Sequence, residues 1–172
     1  MLTANAKKRL IKLAQKYLDR NPSHTNYGAY NKFFKLTESF GIKTRACLRE
    51  SDTECIEAIE NYERAVMAHQ FGCGPYTFGL FYHKDFGICY LIELVETCKE
   101  RDMYFGAYDV RERSFKKAKD VLHLVRKMSF KIKFDFTDCH RANVGISKQG
   151  QFICIDFDVV KHQKEYAIKF DR

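Results

Sequence analysis

The stretch that decides the fold is DFTDCHRANVGISKQGQFICIDFD, residues 135–158. It places Asp138, Asn143 and Asp156 among apolar, strand-like segments, at successive intervals of five and thirteen residues. The part VGIS-KQGQ-FICI predicts a β-hairpin, because two apolar runs flank a polar turn that contains glycine. This hairpin is either an ordinary turn with polar ends or a frame that brings oxygen ligands to a metal-bound nucleotide.

The composition indicates one folded domain. The chain has 172 residues, is 45% hydrophobic and contains 15 Phe and 10 Tyr. That is enough for one domain with a core, and it excludes a disordered segment. The net charge of +8 suits nucleic acid, phosphate-bearing ligands or acidic partners. Because the basic residues are scattered, apart from AKKRLIK and RERSFKKAK, we expect no nucleic-acid partner.

The cysteines indicate a reduced, cytoplasmic chain. There are seven, without a CxxC pair, and most have apolar neighbours, as in GICYLIEL and FICIDF. Cys139, His140 and Cys154 could form a zinc site, but they lack the paired spacing of zinc ligands. We expect no signal peptide, because the first residues lack an apolar h-region, and no membrane span, because no apolar run is long enough to cross a bilayer.

The hydrophobic periodicity predicts helices and strands in an α+β order. Residues 4–20 read as a helix that packs on the domain, with a membrane-surface helix as the alternative. Residues 27–48 predict strands broken by turns, and residues 51–70 predict a second helix. Two strands follow in residues 76–96, and a third helix in residues 114–129 precedes the hairpin. The apolar positions expected to face inward are Leu10, Leu13, Ala14, Tyr17 and Leu18 in the first helix, and Ile56, Ile59, Ala65 and Val66 in the second.

The loop before the hairpin resembles that of a known superfamily. Asp138, His140 and Asn143 form a D-x-H-x-x-N pattern, and the hairpin then leads to Asp156-Phe157. This is similar to kinase-like phosphotransferases, whose catalytic loop precedes an Asp-Phe-Gly metal site. With His140 at its third position, the pattern looks more like that of aminoglycoside and choline phosphotransferases and of the minimal kinases of phages or bacterial effectors. Eukaryotic protein kinases usually carry lysine at this position.

The resemblance implies roles for these side chains. Asn143 and Asp156 would bind Mg²⁺ at the phosphates of ATP, since this hard ion prefers oxygen ligands. Asp138 would accept a hydrogen bond from the attacking hydroxyl and orient it. His140 would brace the loop or contact phosphate.

The upstream half carries the remaining expected ATP-binding residues. Lys43 in FGIKTRA resembles the strand lysine that contacts the α- and β-phosphates, with Lys35 as the alternative. Glu63 on the second helix would hold that lysine, and Glu60 competes for the same role. Gly28 is the one glycine of HTNYGAYNKF, at the position of the phosphate-covering loop.

The segment ELVE resembles the hinge that clasps adenine, which implies ATP contacts for Glu93 and Val95. The resemblance therefore predicts one kinase-like domain over residues 1–172. Its parts are an N-terminal helix (1–22), a small lobe with an antiparallel sheet (24–96) and a truncated, mostly helical large lobe (97–172).

Three positions depart from the superfamily's usual pattern. The phosphate-covering loop lacks GxGxxG, Phe136 stands where histidine is frequent, and Asp158 replaces the glycine of the metal motif. Only fourteen residues follow Asp158, which is why we expect the large lobe to be cut short.

The functional expectation is a minimal serine/threonine protein kinase that uses ATP and Mg²⁺ on host or cellular proteins. The alternative is a pseudokinase-like module that binds a protein partner. A small-molecule kinase comes third, because the chain has little room for the helical subdomain that binds such acceptors.

Overall fold

The computed structural model describes residues 2–23, 26–27, 31–45, 52–97, 115–136, 139 and 142–158. The chain divides into two compact units, which are residues 1–63 with 76–94, and residues 64–75 with 95–172. Both units combine helix with antiparallel sheet, which confirms the predicted α+β class.

The first unit contains a five-stranded antiparallel sheet in the order β1-β2-β3-β5-β4. Its strands follow the first helix, and the second helix is inserted between β3 and β4. The bounds are α1 Ala4–Leu18, β1 Asn26–Tyr27, β2 Asn31–Lys35, β3 Phe40–Arg45, β4 Thr77–His83 and β5 Gly87–Glu93; α2 Asp52–Gln70 begins in this unit.

The second unit contains the end of α2, a long helix and a three-stranded sheet in the order β6-β7-β8. Its core gathers the buried side chains of these elements, among them Val121, Met128 and Phe157. The bounds are β6 Glu96–Thr97, α3 Phe115–Ile132, β7 Val144–Ile146 and β8 Phe152–Cys154.

Helix α1 lies where the periodicity predicted it, and it packs on one face of the five-stranded sheet. Thr3 caps it by accepting a hydrogen bond from the Ala6 N–H at 3.2 Å, and Ala14 and Leu18 are buried. The expectation that Leu13 faces inward is wrong, since 46% of it is exposed. Ile11 of α1 packs closely on Gly79 of β4, where a Cβ atom would lie only 2.8 Å from Ile11 Cγ1. Because Ile11 faces the sheet, Leu13 lies on the solvent side of the helix.

Helix α2 also lies where it was predicted, and Ala65 is buried as expected, but other positions of its inward face differ. Ile56 is 54% exposed, so its expected burial is wrong. The buried positions follow the helical spacing of one stripe, and small alanines on it let the helix approach its neighbours closely. These positions are Ala58, Asn61, Ala65 and Ala68.

Helix α3 runs three residues beyond the predicted 114–129, because Met128 and Ile132 continue its buried face. Lys133 then takes a positive φ of 51°, which ends the helix. Among the described helices, none combines the length and apolar character needed to cross a bilayer.

Thr44 in β3 offers a test of the sheet core. It is fully buried, and its hydroxyl has no hydrogen-bond partner among the described residues. Replacing Thr44 by valine removes this unsatisfied group at nearly constant shape, so we expect the free energy of unfolding to rise by about 1 kcal/mol in urea denaturation.

Thr37→Val is the matched control. The Thr37 hydroxyl accepts from the N–H groups of Ser39 and Phe40, so this change should destabilise. Equal loss in both variants would contradict the assignment.

Candidate functional site

The β7–β8 hairpin brings Asn143 and the segment before Asp156 side by side. Val144 pairs with Cys154 across the two strands, and the Ile155 N–H donates to the Asn143 carbonyl at 3.0 Å. Asn143 immediately precedes β7 and is 8% exposed, whereas Asp156 follows β8 by two residues and is half-buried. An amide and a carboxylate thirteen residues apart thus reach the same end of one hairpin.

The backbone turns directly after β8, and the turn is fixed by its own side chains. The Cys154 thiol donates to the Asp156 carbonyl at 2.8 Å. The Asp158 N–H donates to Asp156 Oδ1 at 3.3 Å. Such a local side-chain bond is typical of aspartate in turns, and it restricts the direction of the Asp156 carboxylate.

Phe157 anchors this turn in the core of the second unit. Its side chain is 1% exposed, and its ring centroid lies 5.9 Å from that of Phe134. Arg64 of α2 donates from Nη1 to the Phe157 carbonyl at 2.9 Å, and its guanidinium lies 5.6 Å from the Phe134 ring centroid. One arginine therefore holds the backbone between the two aspartates and stacks on the neighbouring ring.

The end of α2 supports β8 from the other side. The N–H groups of Gly72 and Cys73 donate to the carbonyls of His69 and Ala68, and Gly72 has a φ of 68°. This pattern is a Schellman motif, which ends the helix and leaves the Cys73 carbonyl to accept from the Cys154 N–H at 2.9 Å. The helix terminus thereby fixes the last residue of β8.

The donor set at the hairpin end fits Mg²⁺. Asn143 and Asp156 offer amide and carboxylate oxygens, which are the ligands that this ion prefers. Within the described ranges, no three His, Cys, Asp or Glu side chains group together as metal ligands do. Asp138 and His140, the other two predicted residues of this region, lie outside those ranges, as does Gly28. Cys139 is buried in the core of the second unit.

Lys43 lies in β3, the central strand of the five-stranded sheet, and is only 7% exposed. It is opposite Phe33 on β2 and Tyr90 on β5, so these three side chains share one face of the sheet. Tyr90 contacts Tyr62 of α2, with ring centroids 5.5 Å apart. Lys43 therefore lies on the face of the sheet that the first part of α2 covers.

The alternative lysine has a different environment. Lys35 is about half exposed, and its ammonium forms an ion pair with Glu38 at 2.8 Å. A solvated pair of this kind contributes little to stability. Burial thus distinguishes Lys43 from Lys35, which the sequence did not do.

An ion pair between β3 and α2 joins two residues that the sequence reasoning missed. Arg45 Nη2 lies 2.5 Å from Glu57 Oε2, and both side chains are largely buried. Glu60 and Glu63, the two predicted partners of the lysine, are both exposed. Glutamates recur every three residues along α2, at positions 54, 57, 60 and 63. Their spacing alone therefore could not show which of them contacts β3.

The predicted hinge coincides with a boundary between the two units, since the chain passes from the first to the second after Leu94. The Glu93 N–H donates to the Tyr76 carbonyl at 2.8 Å, and the Leu94 N–H donates to the Ser39 carbonyl at 2.9 Å. Val95 belongs to the second unit, where it lies against Gly145. A Cβ atom on Gly145 would be only 2.8 Å from Val95 Cγ2.

Arg64 generates a prediction on stability. We expect Arg64→Met to lower the free energy of unfolding by about 2 kcal/mol, because the bond of a charged donor to the Phe157 carbonyl is lost. Urea denaturation measures this change. Arg9→Met, which removes an exposed guanidinium on α1, is the matched control and should be nearly neutral. An equal effect of the two substitutions would show that the Phe157 contact contributes little.

Cys73 generates a prediction on reactivity. Burial raises the pKa of its thiol to about 11, and the nearby Lys127 charge opposes only part of this shift. Because the thiolate is the reactive form, Cys73 should alkylate far more slowly at pH 8 than the half-buried Cys55. Iodoacetamide labelling followed by peptide mass spectrometry measures both rates. Comparable rates in the folded protein would contradict the burial of Cys73.

No protein-family model and no curated protein matches the chain. Among solved structures, the chain is similar to the GDP complex of a point mutant of aminoglycoside 2'-phosphotransferase-IIIa, with 14% identity and a TM-score of 0.38. The match covers 83% of this chain and 46% of that one, so the chain spans about half the length of that protein. At this TM-score, the α+β assignment and the site rest on the chain's own elements and residues.

Proposed function

We propose that the protein is an ATP-dependent phosphotransferase that acts on protein hydroxyl groups and requires Mg²⁺. The observation that carries this proposal is the hairpin end, where the Ile155–Asn143 hydrogen bond brings an amide residue next to the strand that leads to Asp156. Phosphoryl transfer depends mainly on positioning and on cations near the developing charge, and these two residues supply the oxygen ligands for such a cation.

Each residue has one task in the proposed reaction. Asn143 and Asp156 hold Mg²⁺, which neutralises phosphate charge when bound. Lys43 binds the nucleotide phosphates through its ammonium, and its burial strengthens that attraction by lowering the local dielectric constant. Asp138 accepts the hydrogen bond of the acceptor hydroxyl and orients it for attack.

The turn after β8 supports the metal ligand. The bonds from the Asp158 N–H to the Asp156 carboxylate and from Arg64 to the Phe157 carbonyl restrict both that carboxylate and the backbone that directly follows it. A carboxylate restricted in this way loses little conformational entropy when it binds the ion. The acceptor is proposed to be a protein of the cell or host in which the chain acts.

A second candidate is a protein-binding module without transfer activity. It is favoured by the hinge segment, where the N–H groups of Glu93 and Leu94 already donate to backbone carbonyls. Both donors therefore have backbone partners within the first unit.

The transfer of labelled phosphate from ATP tests the proposal. With Mg²⁺ present, the purified chain should label itself or proteins of a cell extract. Asp156→Asn and Lys43→Met should each lower the rate at least about 100-fold, because each removes a charge that faces the phosphates.

Matched controls are Asp85→Asn and Lys35→Met, which change the same residue types at exposed positions and should retain activity. Thermal unfolding with and without Mg·ATP separates the two candidates. A raised Tm together with phosphate transfer supports the enzyme. The absence of both, in a folded chain, contradicts it and favours the binding module.

A further inference from the structure

Helix α1 and its flanking residues carry most of the protein's net charge. Residues 1–20 contain six basic side chains and one acidic side chain, so they supply five of the eight net positive charges of the chain. The basic residues are Lys7, Lys8, Arg9, Lys12, Lys16 and Arg20, and the acidic one is Asp19.

The basic side chains form a row on the outer face of the helix. Lys8, Lys12 and Lys16 are spaced by four residues, so they follow one another at steps of about 6 Å along the axis. All three are exposed, as is Arg9 beside them. Within the described part of the chain, no carboxylate pairs with any of the three lysines. We call Lys8, Arg9, Lys12 and Lys16 the basic face of α1.

The packing of α1 holds this basic face outward. Ala14 and Leu18 on the opposite side are buried against the sheet. Lys7 is directed toward the sheet, where its ammonium lies 5.4 Å from the Tyr76 ring centroid. Asp19 Oδ1 is 3.3 Å from His83 Nε2, so the one acid of the segment is engaged with β4. The helix that carries the row of cations is therefore held in place before any partner binds, so no entropy is lost in folding it on the partner.

The apolar residue on this surface indicates which polyanion it fits. Leu13 is 46% exposed and lies between Arg9 and Lys16 in sequence, next to Lys12. The phosphates of a nucleic acid make no favourable contact with a leucine side chain. Single-stranded nucleic acids also stack their bases on exposed aromatic rings, and the basic face has none. A lipid surface accommodates both groups, because lysines meet anionic headgroups while an apolar side chain enters the interface.

We propose that the basic face of α1 binds the surface of an anionic phospholipid membrane. The helix lies flat on the headgroups without crossing the bilayer, and the attraction is mainly electrostatic. The inference does not depend on phosphotransfer, since every residue that it uses lies on α1, away from Asn143 and Asp156 in the chain.

Sedimentation of the 172-residue chain with sucrose-loaded vesicles tests this proposal. We expect binding to phosphatidylcholine vesicles that contain about 40% phosphatidylserine at about 0.1 M salt, and none to pure phosphatidylcholine. Each lysine that faces an anionic surface contributes about a fivefold factor to the partition coefficient, so the triple variant K8Q/K12Q/K16Q should bind about 100-fold more weakly.

The triple variant K84Q/K119Q/K148Q is the matched control. It removes the same charge from exposed lysines on other elements, and it should lose no more than about fivefold. Circular dichroism with thermal unfolding establishes that both variants are folded. Three results would overturn the proposal: no binding of the unmodified protein to anionic vesicles, equal loss in the two triple variants, or binding to mixed-sequence DNA at the same salt without binding to vesicles.

Discussion

The candidate site depends on the register of one short hairpin. Val144 faces Cys154, and the Ile155 N–H reaches the Asn143 carbonyl, which brings Asn143 next to the strand that delivers Asp156. Because side chains alternate along a strand, a slip of one residue would turn this set to the opposite face. The register is protected from outside the hairpin, since the Cys73 carbonyl at the end of α2 takes the Cys154 N–H.

The two units restrict their candidate residues by different physical means. In the first unit, Lys43 is buried because an antiparallel sheet is covered on that face by the first part of α2. In the second unit, Asp156 is oriented by local hydrogen bonds and by the Phe157 anchor. A helix covering a sheet and a bonded turn are both ways of restricting a polar group before any ligand arrives.

Periodicity predicted the elements well, because apolar spacing directly reports which face is buried. The three predicted helices lie within a few residues of their expected bounds, and the strands of residues 76–96 appear as β4 and β5. The inward faces were harder to predict, since Ile56 is more hydrophobic than Ala58 and yet lies outside. The close approach that alanine permits is decided by the neighbouring sheet, which the local sequence does not contain.

The candidate site was predictable as a set of residue types and only partly as geometry. The hairpin between Asn143 and Asp156 was predictable, because its two apolar runs and the polar turn between them are evident in the sequence. The contacts of Arg64 with Phe157 and of Arg45 with Glu57 were not predictable. They join segments far apart in sequence, and several charged residues with equivalent spacing compete for each role.

The central claim is that Asn143 and Asp156 bind one divalent ion. Titration of isotope-labelled protein with Mn²⁺ in the presence of ATP tests it directly, because the paramagnetic ion broadens nuclear resonance signals nearby. The account predicts that the signals of Asn143 and Asp156 broaden together at low Mn²⁺ and recover when excess Mg²⁺ is added. If these signals stay sharp while those of exposed acids such as Glu38 broaden, the hairpin end is not a metal site.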